Sequence, residues 1–115
     1  MRRVVLLLAT MAVTLMVASG VAFAVIQCHG GVCRGINNHD LIYGTNGYDE
    51  IYGRGGPDVI YGYGGDDTIY GGAGDDTIYG RAGKDYIRGG PGYDKCNGGP
   101  GYDQLHYSCE EQLFQ

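Results

Sequence analysis

An aspartate recurs every nine residues over most of this chain, and no insertion interrupts the spacing. A glycine lies five residues before each of these aspartates, and an apolar residue or a cysteine lies two residues after each. A fixed period of this length indicates a stack of similar small units rather than a core built from unlike elements. We therefore expect eight copies of a nine-residue repeat over residues 35–106. The repeated aspartates are Asp40, Asp49, Asp58, Asp67, Asp76, Asp85, Asp94 and Asp103.

Each repeat is predicted to be a turn followed by a short strand. Glycine at the first and fourth positions suits a tight turn, because it adopts left-handed backbone conformations without a steric cost. The last three residues pair an inward aliphatic side chain with outward neighbours, as in a half-buried strand. Two repeats complete one circuit, so the fold class is all-β, a parallel β-roll (β-solenoid) with two facing sheets. The predicted inward rows are Ile42, Ile60, Ile78 and Cys96 on one sheet and Ile51, Ile69, Ile87 and Leu105 on the other.

The stacked loops of such a roll place the repeated aspartates above one another. Like charges at this spacing repel unless a cation lies between them. Ca²⁺ suits carboxylate and carbonyl oxygens, and it accepts about six to eight of them in irregular geometry. Two aspartates supply too few oxygens, so carbonyl groups of the glycine turns are expected to complete the shell. All eight repeated aspartates are therefore candidate metal ligands, and Ca²⁺ is the expected cofactor.

The repeat resembles the haemolysin-type calcium-binding (RTX) nonapeptide, Gly-Gly-x-Gly-x-Asp-x-(apolar)-x. Residues 71–79, Gly-Gly-Ala-Gly-Asp-Asp-Thr-Ile-Tyr, match every position. The resemblance implies a parallel β-roll that holds Ca²⁺ between successive loops on each side. It implies at most about six internal ions, because four loops on each side leave three gaps. The loops of Asp40, Asp58, Asp76 and Asp94 would line one side, and those of Asp49, Asp67, Asp85 and Asp103 the other.

Two further positions of the repeat have more than one interpretation. The fifth position varies in residue type, so Asp66 and Asp75 are expected to be solvated turn acids rather than direct ligands. The ninth position carries tyrosines that are expected to form outward ladders. These ladders stabilise the sheets by stacking, or they offer a platform for sugar rings or a partner protein. The ladder tyrosines are Tyr43, Tyr52, Tyr61, Tyr70 and Tyr79.

The first 24 residues have the pattern of an export signal. Arg2 and Arg3 precede a long apolar stretch, and Ala22 and Ala24 provide the small residues of a cleavage site. We expect cleavage after Ala24 and a secreted, extracellular protein. An uncleaved membrane anchor is the alternative, because an apolar run of about eighteen residues could span a bilayer. Removing the two arginines changes the formal charge from −5 to −7, which favours calcium ions and disfavours nucleic acid and anionic membranes as partners.

All four cysteines lie beyond the predicted cleavage position, and an even number in a small exported chain indicates disulfides. Four cysteines allow three pairings. Two of them lie just before the repeats and two near their end, which favours Cys28 with Cys33 and Cys96 with Cys109. A zinc site that combines the cysteines with histidines is the alternative, although the spacing of the first pair is not typical of zinc ligands. Those histidines are His29, His39 and His106.

The predicted organisation is a signal peptide, a calcium-binding repeat region and two cysteine-containing caps. No residues suggest a nucleophile paired with a base, and a core one residue thick leaves little room for a deep pocket, so no enzymatic activity is expected. The leading function is a secreted calcium-binding protein that folds on binding Ca²⁺. The alternative is an adhesion or carbohydrate-binding module that uses the tyrosine ladders. The predicted boundaries are 1–24 for the signal, 25–34 and 107–115 for the caps, and 35–106 for the repeats.

Overall fold

A computed structural model of the protein describes residues 11–18 and 21–113. Every helix or strand assigned in these two ranges is a β-strand. The first strands are β1 (Met11–Ala18), β2 (Val21–Cys28) and β3 (Gly31–Arg34). The next strands are β4 (His39–Tyr43), β5 (Asp49–Tyr52), β6 (Val59–Tyr61), β7 (Thr68–Tyr70), β8 (Thr77–Tyr79), β9 (Tyr86–Arg88), β10 (Lys95–Asn97) and β11 (Gln104–Leu105). The last strand is β12 (Glu111–Leu113).

The strands form two sheets, and from β2 to β12 the chain alternates between them. The seven-stranded sheet has the order β1-β2-β4-β6-β8-β10-β12, and the five-stranded sheet has the order β11-β9-β7-β5-β3. The β1–β2 pair is antiparallel, and all the other described pairs are parallel. Each circuit therefore adds one strand to each sheet. This arrangement confirms the predicted all-β solenoid.

The core consists of two rows of inward side chains, one from each sheet. In the seven-stranded sheet Ile42 pairs with Ile60, Ile60 with Ile78, and Ile78 with Cys96. The five-stranded sheet continues in the same way from Ile51 to Leu105. The isoleucines of both rows are completely buried, and Leu105 at the end of its row is partly buried. Both predicted rows are confirmed, because an apolar residue every nine positions points inward on each half-circuit.

The described part of the N-terminal segment extends the seven-stranded sheet. Strand β2 pairs with β4 from Phe23 opposite His39 to Gln27 opposite Tyr43. It therefore spans the predicted cleavage position after Ala24. Residues 1–10 and 19–20 of the predicted signal lie outside the described residues. Within the described ranges no helix is long and apolar enough to cross a membrane. Cleavage stays a prediction, and it would leave residues 25–28 beside β4.

Two disulfides close the ends of the roll, and both were predicted. Cys28 is bonded to Cys33 with a Cα–Cα distance of 5.7 Å, and Cys96 is bonded to Cys109 with a Cα–Cα distance of 5.8 Å. All four side chains belong to the buried core. The second bond joins the last circuit of the seven-stranded sheet to the segment that leads into β12. Each disulfide therefore lies near one end of the row of buried isoleucines.

The ninth-position tyrosines stack along both outer faces, as predicted. On the seven-stranded sheet the ring centroids of Tyr43 and Tyr61 lie 5.5 Å apart, and those of Tyr61 and Tyr79 lie 5.1 Å apart. On the five-stranded sheet Tyr52 and Tyr70 are 5.0 Å apart. The planes of each pair are within about 11° of parallel. Stacking of this kind stabilises neighbouring strands without any ligand.

Candidate metal centre

Each repeated aspartate lies where a loop meets the strand that follows it. Seven of the eight are buried, and Asp103 in the last repeat is partly buried. The aspartates of alternate repeats lie one circuit apart, on the same side of the roll. The structure therefore assembles two columns of carboxylates, one beside each sheet. They have the membership that the sequence predicted, with Asp40, Asp58, Asp76 and Asp94 in one column and Asp49, Asp67, Asp85 and Asp103 in the other.

From Asp58 onward, one oxygen of each carboxylate accepts a hydrogen bond from the backbone of the preceding circuit. The backbone N–H of Asp58 donates to Oδ1 of Asp76 at 2.8 Å, and the N–H of Asp76 donates to Oδ1 of Asp94 at 2.8 Å. In the other column the N–H of Asp67 donates to Oδ1 of Asp85 at 3.0 Å. The same bond recurs at each rung of both columns. These bonds fix the register of the loops, and they occupy only half of each carboxylate.

The second oxygen is buried in six of these aspartates and has no hydrogen-bond partner among the described residues. A buried carboxylate oxygen without a partner is costly, and native proteins usually satisfy such atoms with a donor or a metal ion. The six recur at every repeat from the third onward, so they reflect a property of the repeat rather than a local defect. They are Oδ2 of Asp58, Asp67, Asp76, Asp85, Asp94 and Asp103.

Burial also changes how these carboxyl groups titrate. Desolvation, together with the charges of neighbouring aspartates, raises the pKa of Asp58 to about 9 and that of Asp76 to about 8. In the other column desolvation raises the pKa of Asp67 to about 8 and that of Asp85 to about 7. Backbone hydrogen bonds oppose the shift but do not cancel it. The metal-free columns are therefore electrostatically unfavourable when ionised, which is the condition that a bound cation relieves.

The first-position glycines leave space in which oxygen atoms from two circuits converge. A Cβ atom added at Gly71 would lie 2.6 Å from Oδ2 of Asp76 and 2.8 Å from the carbonyl oxygen of Gly89, one circuit further on. A Cβ atom at Gly53 would lie 2.7 Å from Oδ2 of Asp58 and 2.5 Å from the carbonyl oxygen of Gly71. The unpartnered carboxylate oxygen thus shares a cradle with a carbonyl oxygen. This donor set fits Ca²⁺, which prefers such hard oxygen ligands.

The backbone of these six loops has a shared conformation that the sequence predicted only in part. The second position has positive φ in all of them, including the non-glycine residues Arg54 (76°), Tyr63 (67°) and Arg81 (69°). A side chain in the left-handed region is costly, so the surrounding stack must hold these three in place. Their guanidinium and aromatic groups take part in the outer surface, where Arg81 lies 5.3 Å from the ring centroid of Tyr61.

The first two loops depart from this conformation. Ile36 and Thr45 occupy the second position there, and neither has positive φ, as expected for β-branched residues. Their N–H groups instead donate to the aspartate of the same repeat, from Ile36 to Oδ2 of Asp40 at 2.8 Å and from Thr45 to Oδ2 of Asp49 at 2.7 Å. The Thr45 hydroxyl also bonds both oxygens of Asp49. Asp49 is thus satisfied through both oxygens, whereas Oδ1 of Asp40 is buried and has no hydrogen-bond partner among the described residues.

The fifth-position acids lie outside the columns. Asp66 and Asp75 are exposed, and each accepts one backbone hydrogen bond from the next circuit. The donors are the N–H of Lys84 at 2.9 Å and the N–H of Tyr93 at 2.8 Å. Their exposure agrees with the predicted role as solvated turn acids, and it leaves the buried columns as the candidate centre.

One acidic residue that the repeat pattern did not identify lies beside the last rung. The N–H of Asp94 donates to Oε1 of Glu110 at 2.8 Å, a bond that matches those between the stacked aspartates. The separation in sequence is 16 residues instead of 18, so a search at the repeat spacing misses it. Among the described residues no three His, Cys, Asp or Glu side chains cluster as a metal site. The ligand shell of an ion in the carboxylate columns therefore needs the backbone carbonyl oxygens beside the first-position glycines.

Comparison with known families agrees with this geometry. The model of the RTX calcium-binding nonapeptide repeat matches four overlapping copies, at residues 34–69, 43–78, 61–96 and 70–105. No curated protein and no solved structure matches the chain. The family match spans well over half of the sequence and coincides with the two carboxylate columns. The chain belongs to the RTX calcium-binding nonapeptide repeat family.

Proposed function

We propose that this protein is a secreted calcium-binding protein whose repeats fold when Ca²⁺ enters the two carboxylate columns. The observation that carries the proposal is the buried Oδ2 atom at each repeat from Asp58 to Asp103, which lacks a hydrogen-bond partner among the described residues. In the central loops that atom shares a glycine cradle with a carbonyl oxygen of the next circuit. Family membership supports calcium as the ion.

The two loop conformations indicate which gaps between circuits bind most strongly. Both loops have the left-handed second position in the gaps from Asp58 to Asp76, Asp76 to Asp94, Asp67 to Asp85, and Asp85 to Asp103. We propose these four gaps as the principal sites. The gaps that begin at Asp40 and Asp49 complete the six expected from the repeat, but their carboxylates already accept bonds from Ile36 and Thr45. Both oxygens of Asp49 accept bonds from Thr45, so this carboxylate gains less from a cation. Asp40 keeps a buried Oδ1 without a partner among the described residues, and its gap differs from the principal sites in the loop conformation.

Coupling of binding to folding follows from the composition of the roll. The core is a single layer of isoleucines, while 23 glycines raise the entropy cost of ordering the chain. The ionised columns add repulsion between buried charges. Ca²⁺ removes that repulsion only in the folded arrangement, so its binding free energy stabilises the fold. Export through the predicted N-terminal signal would bring the chain to calcium-rich surroundings, and the two disulfides suit such surroundings.

Circular dichroism during a Ca²⁺ titration tests the proposal. The sample is the exported protein with both disulfides formed, and Mg²⁺ and a chelator serve as controls. We expect a reversible gain of strand signal with Ca²⁺ and little with Mg²⁺, because Mg²⁺ demands a stricter geometry and keeps its water ligands. A strand signal that is complete without metal and unchanged by Ca²⁺ would contradict the proposal.

A carbohydrate-binding or adhesion role is the second candidate, and one surface feature favours it. Tyr79 ends its aromatic row, and it borders a groove of about 480 Å³ that Arg81, Asn97 and Pro100 also line. An aromatic ring beside polar groups can hold a sugar ring. The other ladder tyrosines stack on one another, so their faces are largely occupied. Glycan binding that Tyr79→Ala abolishes and Tyr43→Ala preserves would support this role.

A further inference from the structure

The column that contains Asp94 does not end with the last repeat on its side. Within the repeats, the N–H of one aspartate donates to Oδ1 of the aspartate one circuit later, at 2.8 Å for both Asp58 and Asp76. Asp94 makes the same bond at the same distance to Oε1 of Glu110. Glu110 thus occupies the position of the next aspartate, although it belongs to the C-terminal cap.

The cap is built to hold Glu110 in that position. The N–H groups of Glu110 and Glu111 both donate to the carbonyl oxygen of Asp94, at 3.0 and 3.1 Å. The disulfide from Cys96 to Cys109 fixes the residue immediately before Glu110 against the core. Beyond Glu110, strand β12 continues the sheet with Glu111 opposite Lys95. The cap therefore follows the path of one more circuit, shortened by two residues.

The gap between Asp94 and Glu110 contains an unsatisfied buried atom of its own. Asp94 is completely buried, and its Oδ2 has no hydrogen-bond partner in the described part of the chain. A Cβ atom added at Gly89 would lie 2.5 Å from this oxygen, and its two other nearest atoms belong to Asp94 itself rather than to a carbonyl group of the next circuit. The gap thus combines a free carboxylate oxygen from one circuit with a second carboxylate from the next, as the principal gaps do.

We propose that Glu110 is the acidic ligand of a terminal Ca²⁺ site that Asp94 and the C-terminal cap form together. This inference rests on the proposed calcium-binding function. It adds a site that the nine-residue repeat does not contain, and it assigns the cap a second role besides covering the core. Glu110 and Glu111 are both exposed, but they have different partners, because Glu111 lies 3.7 Å from the Lys95 ammonium group whereas Glu110 accepts the N–H of Asp94.

Calcium titration calorimetry on Glu110→Gln and Glu111→Gln tests the proposal in the exported, fully oxidised protein. Both substitutions remove one negative charge from adjacent residues. Glutamine at position 110 keeps an oxygen that can accept the Asp94 N–H, so it removes the charged ligand while preserving the cap. We expect Glu110→Gln to bind one ion fewer than the unsubstituted protein, or to bind one ion at least about tenfold more weakly. Glu111→Gln should retain the full number and affinity.

The outcomes separate this inference from the function on which it rests. Equal binding by the two variants would overturn the terminal site and leave calcium binding by the repeats intact. Failure of Glu110→Gln to reach the unsubstituted strand signal in saturating Ca²⁺ would assign Glu110 a structural role and would also overturn it. Absence of calcium binding by the unsubstituted protein would reject the proposed function and the terminal site together.

Discussion

Asp58 and Asp76 lie one circuit apart, and the backbone N–H of Asp58 donates to Oδ1 of Asp76 at 2.8 Å. The bond joins the two circuits through one carboxylate oxygen, while Oδ2 of each residue is buried without a hydrogen-bond partner among the described residues. Every carboxylate from the third repeat onward therefore has a structural oxygen and an oxygen free for a ligand. Substitutions can separate the structural role from the proposed ligand role, because neighbouring residues in the same loops have only one of these roles or neither.

The first prediction compares two adjacent acids in one loop. Asp67→Ala should weaken Ca²⁺ binding by at least about tenfold, because it removes a buried candidate ligand and the bond from Asp49 N–H to its Oδ1. Asp66→Ala should change affinity far less, because Asp66 is exposed. Calcium titration calorimetry measures both. Equal losses in the two variants would show that the buried column has been assigned to the wrong position of the repeat.

The second prediction concerns the second loop, in which Thr45 donates hydrogen bonds to the carboxylate of Asp49. Thr45→Gly should strengthen binding on the side of Asp49, because glycine permits the left-handed second position found in the later loops. It also removes the hydroxyl that bonds both oxygens of Asp49. Thr45→Val is the matched control, since it removes the hydroxyl but keeps the β-branched side chain. We expect a gain in calcium affinity or ion number for Thr45→Gly alone, and an equal gain in both variants would exclude the backbone explanation.

The loops of Ile36 and Thr45 show how much of the site could be predicted from the sequence. The aspartate column, the alternation of sheets and the isoleucine rows all follow from strict spacing, and the structure places Ile42 opposite Ile60 accordingly. The conformation of single loops depends on their second residue, so Thr45 and Ile36 change the site while the spacing stays intact. Glu110 was missed because the cap shortens the circuit by two residues. A regular spacing identifies only the residues that keep that spacing, and Glu110 does not keep it.

The third prediction tests the glycine cradles. Gly71→Ala would place a Cβ atom 2.6 Å from Oδ2 of Asp76 and 2.8 Å from the carbonyl oxygen of Gly89. Crowding of this kind in a packed site costs about 1–3 kcal/mol of stability, and here it also fills the space proposed for the ion. Gly47→Ala is the control, because its nearest neighbour would be Oγ1 of Thr45 at 3.8 Å. Thermal unfolding in Ca²⁺ should show a loss for Gly71→Ala and little change for Gly47→Ala.

The fourth prediction compares the two disulfides. Replacing Cys96 and Cys109 with alanine should cost about 2–4 kcal/mol, because the bond closes a loop with a sequence separation of 13 residues and fixes the cap. Replacing Cys28 and Cys33 should cost less, because their separation is only 5 residues. Denaturant unfolding of the calcium-loaded variants provides both values. A larger cost for the N-terminal pair would show that the length of the closed loop does not decide the order of the two costs.

The last prediction concerns the dependence of the metal-free protein on pH. In the fold, burial raises the pKa of Asp58 to about 9 and that of Asp67 and Asp76 to about 8, against an ordinary value of 3.8. The folded chain therefore binds more protons than the unfolded chain in this interval. Its free energy of unfolding should be highest below about pH 4 and should fall as the pH rises towards about 9.

Calcium binding should have the opposite dependence, because protons and Ca²⁺ compete for the same carboxylates. Acid should therefore release the ion while favouring the protonated, metal-free fold. The strand signal of metal-free protein in circular dichroism, compared at about pH 5.5 and about pH 8.5, measures the first effect, and we expect more strand at the lower pH. Asp76→Asn is a useful comparison, because it removes one titrating group from the column and should reduce the difference between the two conditions. A metal-free protein that is more stable at the higher pH would show that the buried aspartates do not govern its folding.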